Sequence, residues 1–125
     1  MRFLVVDDSA TMRRILVNSL DRIGYKDVVE ADDGATALAA FGAGGIGFII
    51  TDWNMPQMSG IEFARSVRGH PEGTKVPILM VTTRSGREDI VAAVEAGVNN
   101  YVLKPFTPPV LKEKIDAILS IGAAA

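Results

Sequence analysis

Acidic, hydroxyl and ammonium side chains directly follow short apolar runs of this sequence. Asp7 and Asp8 follow the first run and Asp52 follows the third, while Thr82 follows the fourth and Lys104 the fifth. A charged side chain at the end of a buried strand needs a partner, because burying an unpaired ion is costly. Each of these residues therefore either closes a turn or binds something charged or reactive.

The apolar runs are short and rich in valine, isoleucine and phenylalanine, which is typical of strands buried on both faces. Segments with helical periodicity or capping signals lie between them. This alternation predicts an α/β fold with five helices covering both faces of a five-stranded parallel sheet, in an order that the pattern leaves open. The predicted strands are residues 3–6, 28–31, 48–51, 76–81 and 101–103.

The helices have recognisable boundaries. Capping boxes at 59–62 and 85–88 predict where the third and fourth helices begin, and Thr107 with Pro108 predicts the start of the last. Gly24 ends the first helix. The apolar face of that helix is predicted to comprise Met12, Ile15, Leu16, Leu20 and Ile23.

Ligands of open α/β sheets bind beyond the carboxyl ends of the strands. Asp7, Asp8 and Asp52 should meet there, and three carboxylates in contact repel one another unless a cation joins them. Oxygen ligands alone favour Mg²⁺ or Ca²⁺, and Mg²⁺ commonly keeps positions for water and phosphate oxygens. Lys104 and Thr82 could bind the remaining phosphoryl oxygens, with Asp52 as the nucleophile that forms an aspartyl phosphate.

Each residue also has a simpler interpretation. Asp8 or Ser9 could cap the first helix, and Asp52 could open an Asx-turn before Pro56. Lys104 alone would be an ordinary surface lysine. The convergence of these residues at one edge of the sheet favours the phosphoryl site.

Composition narrows the possible functions. The 13 basic and 15 acidic residues give a net charge of −2, so neither nucleic acid nor an anionic membrane is an expected partner. The absence of cysteine excludes disulfides and thiolate sites. No signal peptide or membrane span is predicted, which suits the cytoplasm. We expect one domain over residues 1–125, with no DNA-binding segment after residue 121.

The acidic pair, Asp52, Thr82 and the Lys104–Pro105 pair resemble the response-regulator receiver domains of two-component signalling. The resemblance extends from Phe3 to Leu119. The segments VVDDSATMRRI, DWNMPQMSG and YVLKPF look most like the single-domain chemotaxis regulators of this family.

The resemblance implies a flavodoxin-like, doubly wound sheet with the strand order 2-1-3-4-5. It also implies that Asp52 accepts a phosphoryl group, that Lys104 contacts it and that Thr82 moves toward it while Tyr101 turns inward. In the implied Mg²⁺ site, Asp8, Asp52 and the carbonyl of Asn54 bind the ion directly, and Asp7 binds it through water.

The implied partners are a histidine kinase of the chemotaxis type and the flagellar motor switch protein. The motor protein would bind the face formed by the fourth helix, fifth strand and fifth helix. A monomer is expected. The protein would catalyse only its own phosphorylation and dephosphorylation, and would not be a turnover enzyme.

The sequence departs from the family after the switch threonine. Thr83 stands where a small residue is common, and Arg84 and Asn54 occupy positions that modulate phosphate lifetime. Arg84 is therefore expected to slow dephosphorylation by blocking the access of water. The opposite effect, faster hydrolysis through stabilisation of the developing charge, is less favoured. A solvated Arg84 without any role is a comparable alternative.

Three other functions compete with this interpretation. A phosphatase of the haloacid dehalogenase type would need an acid/base aspartate where Asn54 stands. A flavin-binding module would need a phosphate-cradling loop after the first strand, where the sequence is acidic. A phosphorelay receiver with a non-flagellar target has the same chemistry and stays open.

Overall fold

The computed structural model describes the backbone of residues 1–124 and the side chains of residues 1–120. One parallel sheet has the order β2-β1-β3-β4-β5, which confirms the predicted flavodoxin-like fold. The strands are β1 (Arg2–Val6), β2 (Val28–Ala31), β3 (Ile46–Thr51), β4 (Ile78–Thr82) and β5 (Asn100–Leu103). The helices are α1 (Ala10–Arg22), α2 (Gly34–Gly42), α3 (Gly60–Gly69), α4 (Arg87–Glu95) and α5 (Pro108–Ala124).

Successive side chains of each strand enter two separate cores, because side chains alternate across a sheet. In β1, Phe3 and Val5 pack with the core beneath α1 and α5, while Leu4 and Val6 pack with the core beneath α2, α3 and α4. The central strands are therefore apolar on both faces, as their continuous apolar runs predicted. No helix among the described residues is both long and apolar enough to cross a membrane.

Four local expectations were wrong. β3 begins at Ile46 rather than at residue 48. β4 begins at Ile78 rather than at residue 76, and Pro77 before it has no N–H for the ladder. Ser85 does not cap α4: Gly86 holds that position without a side-chain hydrogen bond. Ile15 is 44% exposed, since the buried stripe of α1 is narrower than predicted and is centred on Leu16 and Leu20.

The loop after β3 folds tightly back onto its own strand. The capping box predicted for α3 is present, with Ser59 accepting from the amide of Glu62. Gly60 donates its N–H to the carbonyl of Trp53 at 2.8 Å. A Cβ atom at Gly60 would overlap the carbonyl oxygen of Asp52, so only glycine lets α3 begin this close to the end of β3.

Candidate functional site

Backbone hydrogen bonds continue the parallel ladders one residue beyond the strands. The Asp7 amide donates to Ala31 at 3.1 Å, the Asp52 amide to Val6 at 2.9 Å and the Lys104 amide to Thr82 at 2.9 Å. These bonds fix Asp7 and Asp52 at the ends of neighbouring strands and Lys104 beyond β4, all at the carboxyl edge of the sheet. The sheet register, rather than any loop, therefore determines how closely their charges approach.

The acidic cluster has the predicted members. Asp7, Asp8 and Asp52 each offer a carboxylate oxygen, and these oxygens lie within 4.8 Å of one another. Asp7 is 1% exposed, Asp52 is 8% exposed and Asp8 is open to solvent. The side chain of Lys104 enters the same group from β5, placing Nζ 3.1 Å from Asp7 Oδ2 and 3.4 Å from Asp52 Oδ1.

Two of the simpler interpretations can be compared with this geometry. Ser9 is the N-cap of α1 and accepts from the amide of Met12. Asp52 does not form an Asx-turn toward Asn54, because its Oδ1 accepts from the adjacent Trp53 amide at 2.7 Å. Asp7 forms the turn instead: its Oδ1 accepts from the Ser9 amide at 2.9 Å.

Burial determines the protonation behaviour of Asp52. Loss of hydration raises the pKa of its carboxyl above the ordinary value, Lys104 opposes this change, and the neighbouring charge of Asp7 adds to it. The site thus holds more negative charge than its one lysine can balance. An added cation would relieve this excess.

The donor set fits a hard divalent cation, since every side-chain ligand of the cluster is a carboxylate oxygen. Oxygens on opposite sides of a six-coordinate Mg²⁺ lie about 4.2 Å apart. The cluster spans slightly more than this, up to 4.8 Å. One carboxylate bound through a water molecule would fit the span, and Asp7 suits that role because both its oxygens already accept hydrogen bonds.

The remaining site residues lie around the end of β4. Thr82 is fully buried and its hydroxyl accepts from the amide of Arg84 at 3.2 Å, while Thr83 is exposed. Tyr101 is partly buried, and its hydroxyl donates to the carbonyl of Arg84 at 2.6 Å. Burial, with a smaller contribution from Asp89, raises the pKa of Tyr101, so this hydroxyl stays a donor.

Arg84 reaches across the mouth of the site. Its Nε and Nη2 atoms donate to Asn54 Oδ1 at 3.2 and 3.0 Å, and its guanidinium lies 4.8 Å from the centroid of the Trp53 ring. Nη1 also pairs with Asp89 of α4 at 3.4 Å. The sequence indicated the position of Arg84 but not these partners, because they depend on side-chain conformation.

Sequence reasoning missed Arg13. Its Nη1 donates to the carbonyl oxygen of Asp7 at 2.7 Å. The only signal was its place in the first turn of α1, the helix that follows the acidic pair.

Replacing Asp52 with asparagine should stabilise the metal-free protein at neutral pH, because it removes a poorly hydrated charge. The folded state of the wild type holds the Asp52 proton at higher pH than the unfolded state does, since the folded pKa is raised. The contribution of Asp52 to stability therefore falls as pH rises from its ordinary pKa of 3.8 through its folded pKa.

Urea unfolding of both proteins across this pH range checks the expectation. The advantage of Asp52→Asn should be absent at the acid end and full at neutral pH. Asp21→Asn, which alters an exposed ion pair with Lys26, is the matched control and should change little. A variant less stable than the wild type at neutral pH would contradict this account.

Comparison with known proteins agrees with the geometry. Residues 3–116 match the model of the response regulator receiver domain. The chain is 49% identical to chemotaxis protein CheY1 of Helicobacter pylori over 120 residues, covering 95% of this chain and 97% of that protein.

Two solved structures are also similar. Chemotaxis protein CheY4 of Vibrio cholerae has a TM-score of 0.89 and 35% identity, with 94% of this chain and 97% of that chain covered. The receiver domain of the sensor histidine kinase PA1611 from Pseudomonas aeruginosa, solved with magnesium coordinated in its active-site cleft, has a TM-score of 0.86 and 25% identity, with 95% and 97% covered. Receivers of this kind are signalling regulators rather than turnover enzymes. The chain belongs to the response regulator receiver domain family and is of the CheY chemotaxis type.

Proposed function

We propose that this protein is a phosphorylation-dependent switch. Asp52 accepts a phosphoryl group from a phosphohistidine of a chemotaxis-type histidine kinase, with Mg²⁺ as the cofactor. The modified protein then binds a target more tightly, and the target is the flagellar motor switch protein. The protein acts as a cytoplasmic monomer made of one receiver domain over residues 1–125.

The observation that carries the proposal is the contact of one ammonium group with two carboxylates at the strand ends. Lys104 Nζ lies 3.1 Å from Asp7 and 3.4 Å from Asp52, and its side chain is only 15% exposed. A structural ion pair needs one carboxylate. A lysine between two carboxylates can bind a phosphoryl oxygen on Asp52 and still keep its ion pair with Asp7.

Asp7, Asp8 and Asp52 are the side chains that would hold Mg²⁺, together with the carbonyl of Asn54. The bound ion would neutralise charge on the carboxylates and on the transferring phosphoryl group. The similar PA1611 receiver carries magnesium in its active-site cleft, which supports this part of the proposal.

The chemical step follows from the positions of the chain's own groups. A carboxylate oxygen of Asp52 attacks phosphorus, the phosphorus–nitrogen bond to the histidine breaks, and its electron pair returns to the imidazole. Lys104 binds a phosphoryl oxygen as charge redistributes. The amide side chain of Asn54 cannot act as a general acid or base, so this residue does not support a phosphatase of the haloacid dehalogenase type.

Thr82 and Tyr101 connect this step to the surface. The Thr82 hydroxyl lies at the buried end of β4 and accepts from the Arg84 amide, so its own proton can turn to donate to a phosphoryl oxygen. The Tyr101 hydroxyl already contacts the carbonyl of Arg84, two residues along the same loop. Movement of this loop toward Asp52 would therefore change the contacts of Tyr101 as well.

The exposed apolar surface supports the proposed docking face. Among the described residues, seven large apolar side chains are exposed, and five of these lie on α4, β5 and α5. They are Ile90, Val91, Val94, Leu103 and Val110. Exposed apolar side chains on adjacent elements are a common feature of protein-binding surfaces.

Incubation with acetyl phosphate and Mg²⁺ should add one phosphoryl group at Asp52, as read by intact-protein and peptide mass spectrometry. Lys104→Ala should slow the modification by roughly tenfold or more, because a charged phosphoryl partner is lost. Lys112→Ala, which removes an exposed lysine of α5, is the matched control. Equal labelling of Asp52→Asn and the wild type would refute the assignment of the acceptor.

Arg84 is proposed to lengthen the life of the phosphorylated state. Hydrolysis of the acyl phosphate needs a water molecule in line with the bond from phosphorus to Asp52. The guanidinium is held by Asn54 and by the ring of Trp53, the residue after Asp52, and from there it would lie beside this approach. Because Arg84 has contacts on two sides, we expect it to block water and not to move freely in solvent. Its positive charge alone would have the opposite effect, since it would stabilise the transition state of hydrolysis.

Arg84→Ala should therefore speed dephosphorylation by roughly threefold or more, equivalent to a barrier lower by about 0.7 kcal/mol. Phosphate release should be followed chemically, because Arg84 contacts Trp53 and its removal alters the fluorescence signal itself. Arg87→Ala removes an exposed arginine from α4 and serves as the control. Slower release from Arg84→Ala would instead favour charge stabilisation, and an unchanged rate would leave Arg84 without this role.

A further inference from the structure

We infer that Arg13 is a positioning residue for the magnesium site, through its hydrogen bond to the carbonyl of Asp7. This inference rests on the proposed magnesium-dependent function. Arg13 itself offers no ligand atom to a cation. Its effect must therefore pass through the peptide group that joins Asp7 to Asp8.

The local structure explains why the guanidinium reaches this peptide. Ser9 caps α1, and the Arg13 amide donates to the Ser9 carbonyl at 3.0 Å in the first helical turn. Side chains in a helix tilt toward its N-terminus. Arg13 consequently extends back past the cap, and its Nη1 meets the Asp7 carbonyl at 2.7 Å.

A second contact holds the guanidinium in place. Arg13 Nε donates to Glu30 Oε1 at 3.3 Å, across a cleft of about 390 Å³ that both residues line. The Arg13 side chain is 19% exposed and that of Glu30 is 50% exposed. The ion pair alone would contribute little to stability at this exposure. Its role is to orient the planar guanidinium toward the carbonyl.

Asp7 is thereby fixed at all of its polar groups. Its amide donates to Ala31, its carboxylate accepts from Ser9 and Lys104, and its carbonyl accepts from Arg13. Asp8 lies on the other side of the same peptide, and its exposed carboxylate depends on the backbone for its position. Fixing the peptide plane places both carboxylates before a cation arrives.

The charge of Arg13 has the opposite effect, because a guanidinium near a cation site weakens cation binding. Positioning and repulsion can be separated by substitution. Arg13→Lys keeps the charge but replaces the planar fork with a single ammonium group, which cannot reproduce both contacts. Arg13→Gln removes the charge and the fork together. Arg14→Gln, at the exposed neighbouring arginine, removes a charge without removing this anchor.

The test is a Mg²⁺ titration of these variants and the wild type by calorimetry, below their melting temperatures. Loss of groups that orient metal ligands commonly weakens metal binding by 10- to 100-fold. We expect about tenfold weaker binding in Arg13→Lys and Arg13→Gln, and little change in Arg14→Gln. Backbone order parameters measured by NMR on the metal-free proteins should also be lower at the Asp8 amide in both Arg13 variants, which reports the freed peptide directly.

Three results would overturn the inference. If Arg13→Lys binds Mg²⁺ as tightly as the wild type and Arg13→Gln binds it more tightly, then Arg13 acts only through its charge. Unchanged affinity in both, with a lower melting temperature, would show a purely structural role. An unchanged order parameter at the Asp8 amide would show that the peptide is not held by Arg13. A wild type that binds no Mg²⁺ would instead remove the proposed function on which the inference depends.

Discussion

The structure depends on a charge imbalance at one edge of the sheet. Three carboxylates and one ammonium group meet where β1, β3 and β5 end, and two of the carboxylates are almost fully buried. Water solvates the two buried carboxylates poorly, and Lys104 cannot neutralise all three, so the charge of this edge favours the binding of a cation. The raised pKa of Asp52 has the same cause, namely the loss of hydration on burial.

The rest of the fold fixes the positions of these charged side chains. The ladders continue past the strands to Asp7, Asp52 and Lys104, so the rigid sheet sets the spacing of the charges. Gly60 lets α3 close over the end of β3, and Arg13 ties the first turn of α1 to the acidic pair. These groups keep the carboxylates together despite their repulsion.

The sequence predicted the sheet and the acidic cluster because both depend on strong, local patterns. Continuous apolar runs identified the strands, and Asp7, Asp8, Asp52, Thr82 and Lys104 follow from where those runs end. The strand order needed the family resemblance, since periodicity does not encode it. Helix starts were less certain: Ser59 caps as its motif indicates, whereas Ser85 has the same spacing and does not.

The contacts of long side chains could not be predicted from sequence. Arg13 and Arg84 each have many rotamers, and which carbonyl or amide they meet depends on elements distant in the chain. Arg84 contacts Asn54, Trp53 and Asp89 of α4, so it connects the proposed phosphoryl site to the proposed docking face. Such a link offers a route by which occupancy of the site changes the surface of α4.

The central claim is that the carboxylate cluster binds Mg²⁺, and calorimetric titration of the wild type and Asp8→Asn tests it most directly. Asp8 is the exposed member of the cluster, so its substitution leaves the core undisturbed. The account predicts saturable binding of one ion at millimolar concentrations by the wild type, and binding weakened by roughly tenfold or more in the variant. Equal binding by the two proteins, or no saturable binding by the wild type, would contradict it.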